Sequence, residues 1–278
     1  MIPSMHYENV EGNPTYIIPP LAFQRRRRPG ISAFIRVKNE GKFLKPAVES
    51  ILPLCVDIVI CIQGEQDDDT ATVAHHLEGE HQKVRVKYYP FDSNPNGPGH
   101  DHYQGGSVYE RAYFYNWSLA QTDTEWALKW DGDMVAKPGA VATLLKLTGT
   151  LYNYDVISFA GDELCGSDMK HLSTIPLTGC EPRLFKVNPL TYYFSGPACE
   201  IIRRNWDKPK SMGETMFVHL KWVKPLDRVV DAWPENWKNH SDPQVRAHFA
   251  RVLRKAKPGD PYTEPLPREL KDYAEGGA

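Results

Sequence analysis

The stretch Trp126-Ala127-Leu128-Lys129-Trp130-Asp131-Gly132-Asp133-Met134-Val135 decides how the chain is read. Residues 126–130 are apolar apart from Lys129, which predicts a buried strand. Asp and Gly are poor strand interiors, so Asp131-Gly132-Asp133 should mark the strand's C-terminal end. In open α/β sheets that edge is where ligands bind. Two carboxylates two residues apart can reach one hard divalent cation, directly or through water, and such ions bridge to phosphates. The same tripeptide is good turn chemistry. On these residues alone a surface turn stays open.

Toward the N-terminus the pattern alternates. Ile31 to Val37 predicts a short apolar strand, followed by Lys38-Asn39-Glu40-Gly41 and an amphipathic helix with Phe43, Leu44, Ala47, Val48, Ile51 and Leu52 at helical spacing. Val56 to Ile62 is a second buried strand running into the polar loop Gln63-Gly64-Glu65-Gln66-Asp67-Asp68-Asp69-Thr70, where a helix opens. Val84 to Tyr89 is a third strand, and Tyr109 to Ala120 a helix leading into the central strand. Strand-helix alternation implies parallel strands with crossover helices. The long loop 90–108 contains His100-Asp101-His102, read as part of a mobile substrate-side loop in preference to a metal cluster.

Toward the C-terminus, Pro138 starts a helix through Leu147, and Tyr154 to Ala160 is a strand. Residues 161–180 read as a polar loop carrying Asp162-Glu163, taken as solvated, and Arg183 to Val187 is a strand. Three parts follow: an irregular basic segment 1–30, a domain 31–225, and a helical, Pro-rich extension 226–278.

With 278 residues, 41% hydrophobic and 24% charged, the chain can bury a sizeable core. A net charge of −2 gives no global field for nucleic acid. No apolar run reaches the roughly 18–20 residues needed to span a bilayer, and Met1 to Pro20 lacks the pattern of a signal peptide. The five scattered cysteines, Cys55, Cys61, Cys165, Cys180 and Cys199, read as reduced core residues of a cytoplasmic protein. Arg25-Arg26-Arg27-Arg28 is a solvated run, or a contact to phosphates, acidic lipid at a membrane surface, or nucleic acid.

The ordered set resembles family 2 glycosyltransferases of the GT-A fold, in particular a bacterial branch whose first strand ends in Lys-Asn-Glu. The set runs from Lys38-Asn39-Glu40, through a polar loop closed by Asp68-x-Thr70 and a helix with Asn116, to Asp131-x-Asp133. The resemblance covers roughly residues 31–225. It implies an α/β GT-A fold: a Rossmann-like, mostly parallel sheet flanked by helices, here with a helical C-terminal extension.

Residue by residue, the resemblance assigns Arg36, Lys38, Asn39 and Glu40 to the first nucleotide-binding loop. The second strand of this family usually ends in Asp-x-x-Ser-x-Asp-x-Thr. Gln63, Gln66, Asp68 and Thr70 stand at those positions, and Gln63 in place of Asp leaves the nucleobase open. Asn116 accompanies the donor site, Asp131 and Asp133 match the metal motif, and His219 matches a late histidine that completes it. Glu200 falls on the catalytic-base position of a segment ending in His-Glu, with Cys199 departing at the His.

The implied activity is metal-dependent, inverting transfer of a sugar from a nucleotide-sugar donor to a hydroxyl acceptor on a glycan, a protein or a modified nucleic-acid base. Mn²⁺ or Mg²⁺ is the expected ion, and a histidine ligand tilts the choice to Mn²⁺. Glu181 and Glu163 are rival bases; Glu200 could instead be a helix-start acid, and His219 a core histidine. Trp117, Trp126 and Trp130 are assigned to the core. Nucleotidyl transfer and a non-catalytic nucleotide-sugar-binding module are the competing readings. Sugar, acceptor and oligomeric state are open.

Overall fold

The computed structural model describes residues 5–94, 103–165, 171–173, 178–196, 199–203, 206–220 and 263–265. His100-Asp101-His102, the Glu163 side chain and most of the C-terminal extension lie outside the described residues. In chain order the first half forms α1 (Leu21–Gln24), β1 (Arg28–Val37), α2 (Gly41–Ile51), β2 (Asp57–Gln63), α3 (Thr70–Glu80), β3 (Val84–Tyr89), α4 (Arg111–Ala120) and β4 (Thr124–Asp131). The second half forms β5 (Met134–Ala136), α5 (Pro138–Thr148), β6 (Val156–Cys165), β7 (His171–Ser173), β8 (Thr178–Lys186), β9 (Tyr193–Ser195), β10 (Glu200–Ile202), β11 (Pro209–His219) and β12 (Thr263–Pro265).

The large sheet runs β12-β7-β6-β8-β4-β1-β2-β3, with β11 joined to β6 and β5 to β11. Strands β3, β2, β1 and β4 are parallel, as the strand-helix alternation predicts. Beyond β4 the sheet becomes mixed. β8 is antiparallel to both β4 and β6, and β11 is parallel to β6 but antiparallel to β5. The expected α/β architecture, a sheet flanked by helices, is what the chain forms.

Alternation along the strands builds two cores, one on each face. Ile31, Ala33, Ile35 and Val37 of β1, Ile58, Ile60 and Ile62 of β2, and Trp126, Leu128 and Trp130 of β4 share the face covered by α2, α3 and α5. Phe34, Val59, Cys61, Ala127 and Phe185 point the other way, onto α4 and the N-terminal segment. That second face also carries, by the same period of two, Arg36 of β1, Lys129 and Asp131 of β4, and Glu181 and Arg183 of β8. The charges therefore converge on one face, at the C-terminal edge of the parallel strands.

The segment before β1 belongs to this packing: Ile18, Ala22 and Phe23 are buried in the second core, and β1 starts at Arg28. Three of the four consecutive arginines are committed to the turn between α4 and β4. Arg25 donates to the Thr122 carbonyl at 3.1 Å, and Arg28 pairs with Asp123 at 3.0 Å. Buried Arg27 donates to the Thr124 and Thr122 carbonyls and to Ala22 O. Burial and the neighbouring Arg25 lower the Arg27 pKa to about 10, so it stays charged at neutral pH.

Residues 161–165 and 178–180 extend β6 and β8 where a polar loop was expected. Of the described cysteines, Cys55 and Cys61 are buried thiols, whereas Cys199 is exposed, against the expectation of a core residue. Among the described residues no helix is long and apolar enough to cross a membrane.

Candidate active site

Two loops at the ends of β1 and β2 are sewn together before they offer anything to a ligand. Asn39, with φ of 57°, donates its backbone N–H to Gln66 Oε1 (2.8 Å) and its amide to Asp67 (3.0 Å). Glu40 N–H donates to Thr70 Oγ1 at 2.7 Å. One carboxylate, Asp68, accepts from Gly41 N (3.0 Å) and Thr70 N (2.9 Å), so it caps the starts of α2 and α3 together. A Cβ on Gly41 would stand 2.9 Å from Thr70 N, a backbone atom, so a glycine here lets these helix ends approach. Lys38 reaches Asp92 at 2.5 Å, and Gln63 is buried against Ser93, whose hydroxyl donates to Gln63 Oε1 at 3.1 Å.

At the end of β4 the two carboxylates part. Arg36 Nη2 donates to Asp131 Oδ1 at 2.5 Å, and Arg183 Nη1 to Oδ2 at 3.1 Å. Burial works to raise the Asp131 pKa, but Arg36, Arg183 and Lys129 outweigh it and hold the carboxyl below the usual carboxylate range. Asp133 instead faces His219, with Oδ1 3.2 Å from Nε2. Pairing of β11 with β5, His219 opposite Met134, brings the histidine there, and Leu220 N–H donates to Asp133 O at 2.8 Å. Gly132 makes the switch possible: a Cβ there would lie 2.6 Å from Val37 Cγ1.

Glu200 opens β10 with its side chain 5% exposed, between Lys129 Nζ (3.6 Å) and Arg111 Nε (3.7 Å). Its hairpin is docked on α4 by Asn116, whose amide donates to Tyr193 O (2.8 Å) while its carbonyl accepts from Tyr193 N (2.7 Å). Ser195 Oγ adds a bond to Glu110 at 2.7 Å. The rival Glu181 lies 3.1 Å from Arg183 and 3.3 Å from Lys129. Desolvation would raise its pKa, and these two cations override it, holding the carboxyl at about 2.

Arg36, Asp131, Arg183, Lys129 and Glu200 thus gather with Glu181, and Asp133 with His219 lies beyond Gly132. Asn116 contacts the hairpin backbone, and Asn39, Glu40 and Asp68 contact each other's loops. Sequence reasoning passed over Arg111 and Tyr115, and left Lys129 and Arg183 without roles. The Tyr115 ring lies 3.4 Å from the Arg36 guanidinium carbon and 5.4 Å from Lys129 Nζ. The one available signal was Lys129, a charge inside an otherwise apolar strand.

Asp133 and His219, a carboxylate and an imidazole already in contact, suit a divalent cation of borderline softness. The ligand atoms of Asp131, Asp133 and His219 do not all lie within 4.8 Å of one another, because the arginines draw Asp131 aside. Elsewhere, Glu49, Glu80 and His81 do group that closely. There Lys45 Nζ already bridges the two acids, 3.1 Å from each.

No family model matches the chain, and no curated protein matches it. Among solved structures, that of S. aureus TarS 1-349 is similar, with 12% identity over 88% of this chain and 77% of that one, at a TM-score of 0.45. The same protein in complex with UDP gives 14% identity over 82% and 70%, also at 0.45. Glucosyl-3-phosphoglycerate synthase from Mycobacterium tuberculosis, in complex with Mn²⁺, UDP-Glc and phosphoglyceric acid, gives 18% identity at 0.34, over 54% of this chain and 50% of that one. Likenesses this distant carry no argument about function, which rests on the site's own residues.

Proposed function

We propose that the protein is a metal-dependent glycosyltransferase of GT-A type, moving a sugar from a nucleotide-sugar donor to a hydroxyl acceptor with inversion. The observation that carries this reading is the convergence, at one edge of the sheet, of Asp133 with His219 and of buried Glu200 among cations. In the reaction the bond from the anomeric carbon to the diphosphate oxygen breaks, and its electron pair leaves with the diphosphate. The acceptor oxygen forms the new bond, and its proton passes to Glu200.

Glu200 suits the base role better than Glu181. Glu181 is engaged at closer range by its cations, Arg183 at 3.1 Å and Lys129 at 3.3 Å, than Glu200 is by Lys129 at 3.6 Å and Arg111 at 3.7 Å. Asp133 and His219 would hold the ion; once bound, a divalent cation stabilises the departing diphosphate as a Lewis acid. Asp131 serves as the anchor of Arg36 and Arg183. Gln63, set on Ser93, and Lys38 flank the region assigned to the nucleoside.

A thermal-shift panel of nucleotide sugars with and without Mn²⁺ tests the reading, because a ligand of the folded state raises Tm by mass action. One donor should give a Mn²⁺-dependent shift that Asp133→Asn removes. Donor shifts unchanged by Mn²⁺ and by Asp133→Asn would count against a metal-dependent site.

A further inference from the structure

Two arginines in the site are buried with more donors than the protein accepts. The side chains of Arg36 and Arg183 are 5% and 2% exposed. Arg36 spends Nη2 on Asp131, yet its Nε and Nη1 are buried without a hydrogen-bond partner. Arg183 spends Nη1 on Asp131 and Nη2 on Glu181, and its Nε is likewise orphaned. The Tyr115 face attracts the Arg36 guanidinium from above at 3.4 Å, and Phe217 covers that of Arg183 at 5.2 Å. Neither ring supplies an acceptor in the guanidinium plane, where the N–H groups point. A buried, charged donor left unsatisfied costs on the order of 1–3 kcal/mol or more, and native interiors rarely keep several together.

The pair is also placed for an anion. Asp131 fixes both guanidinium groups, and only Gly132 separates it from Asp133 and His219. Arg183 packs on Phe217, whose ring centroid lies 6.4 Å from that of His219. Among the described residues, Lys129 and Arg111 flank Glu200, Glu181 is held by Arg183 and Lys129, and the acid Glu40 packs beside Gly132.

We propose that Arg36 and Arg183 form a diphosphate subsite that binds the donor's phosphates through the protein's own guanidinium groups, with or without the metal. The subsite rests on the glycosyl-transfer reading and adds to it that the charge of the leaving diphosphate is shared between arginines and cation. Charge-assisted bonds to guanidinium are among the stronger protein hydrogen bonds. Nucleoside diphosphate should therefore stay bound when the metal is removed.

The test is calorimetric titration of the intact protein with uridine and guanosine diphosphate, each in Mn²⁺ and in EDTA. The diphosphate that binds in Mn²⁺ should still bind in EDTA, and Arg36→Gln or Arg183→Gln should weaken the EDTA affinity at least about tenfold. Because a single variant leaves Asp131 with one arginine in place of two, the charge-balanced Arg36→Gln/Asp131→Asn protein is titrated as well, with its fold checked by thermal melting. It should melt cooperatively and show the same loss. Binding in Mn²⁺ but none in EDTA, or wild-type EDTA affinity in the balanced variant, would overturn the subsite and leave the glycosyl-transfer reading standing. No diphosphate bound in either condition would overturn both.

Discussion

At the residue scale, Asp131 and Asp133 have separate partners although only Gly132 lies between them: two arginines for one, a histidine for the other. Their variants should differ accordingly. Asp133→Asn should abolish Mn²⁺-dependent turnover with little change in Tm. Asp131→Asn takes the carboxylate from buried Arg36 and leaves Arg183 with Glu181 alone; breaking a buried pair costs about 3–5 kcal/mol, so it should be read first in Tm. Glu200→Gln should lower kcat by about 10²–10⁴-fold, the range expected for a lost general base, while Glu181→Gln keeps most of kcat. Steady-state rates of the four proteins beside their melting curves check this. The end of β4 at Asp131 was legible because Asp and Gly break its apolar run. The partners of Asp131 were not, since Arg36 and Arg183 lie on other strands and meet it only through sheet register.

At the element scale, the hairpin of β9 and β10 is held to α4 by the two bonds of Asn116. Asn116→Ala leaves the Tyr193 N–H and C=O without their partners, at about 1–3 kcal/mol for each buried group. A lower Tm with a lower kcat, and donor affinity unchanged, is the expected signature of a residue that positions Glu200; a loss of donor affinity alone would return Asn116 to the donor site. Gly132→Ala should cost about 1–3 kcal/mol, as overpacking does, because its methyl meets Val37.

The N-terminal segment is tied down by Glu11, which accepts from Ser107 Oγ and Val108 N. Partial burial works to raise the Glu11 pKa, and these two bonds together with one from its own backbone outweigh it, so the carboxyl is held below its ordinary value. A depressed carboxyl contributes stability that is present above its unfolded pKa and lost as pH falls through the folded one. The Tm gap between wild type and Glu11→Ala should therefore be full at neutral pH and shrink below about pH 4. A gap that stays constant to pH 2 would contradict the bond.

At the scale of the whole molecule, the parallel half was readable because β1, β2 and β4 are long apolar runs with helical patterns between them. The mixed half was harder. β6 and β8 carry Asp162, Glu181 and Arg183, and such charges break the apolar pattern that marks a strand. Those charges occur where the sheet edge becomes the site, which is where local rules are expected to fail. Arg111 is a case in point: a cation at the start of α4 opposes the helix dipole. The arginine run misled in the opposite sense, since Arg25, Arg27 and Arg28 close the turn at 122–124. Arg27→Ala should destabilise the fold, read as a fall in Tm, and leave donor affinity of the folded protein unchanged.

The proposed glycosyl transfer takes place at this edge of the sheet. The most direct measurement is nucleoside diphosphate release from a panel of nucleotide sugars in Mn²⁺, run on wild type, Asp133→Asn and Glu200→Gln. Release is expected from one donor, dependent on Mn²⁺, lost in Asp133→Asn and strongly reduced in Glu200→Gln. Equal release from all three proteins, or pyrophosphate release from nucleoside triphosphates in its place, would contradict the proposed transfer.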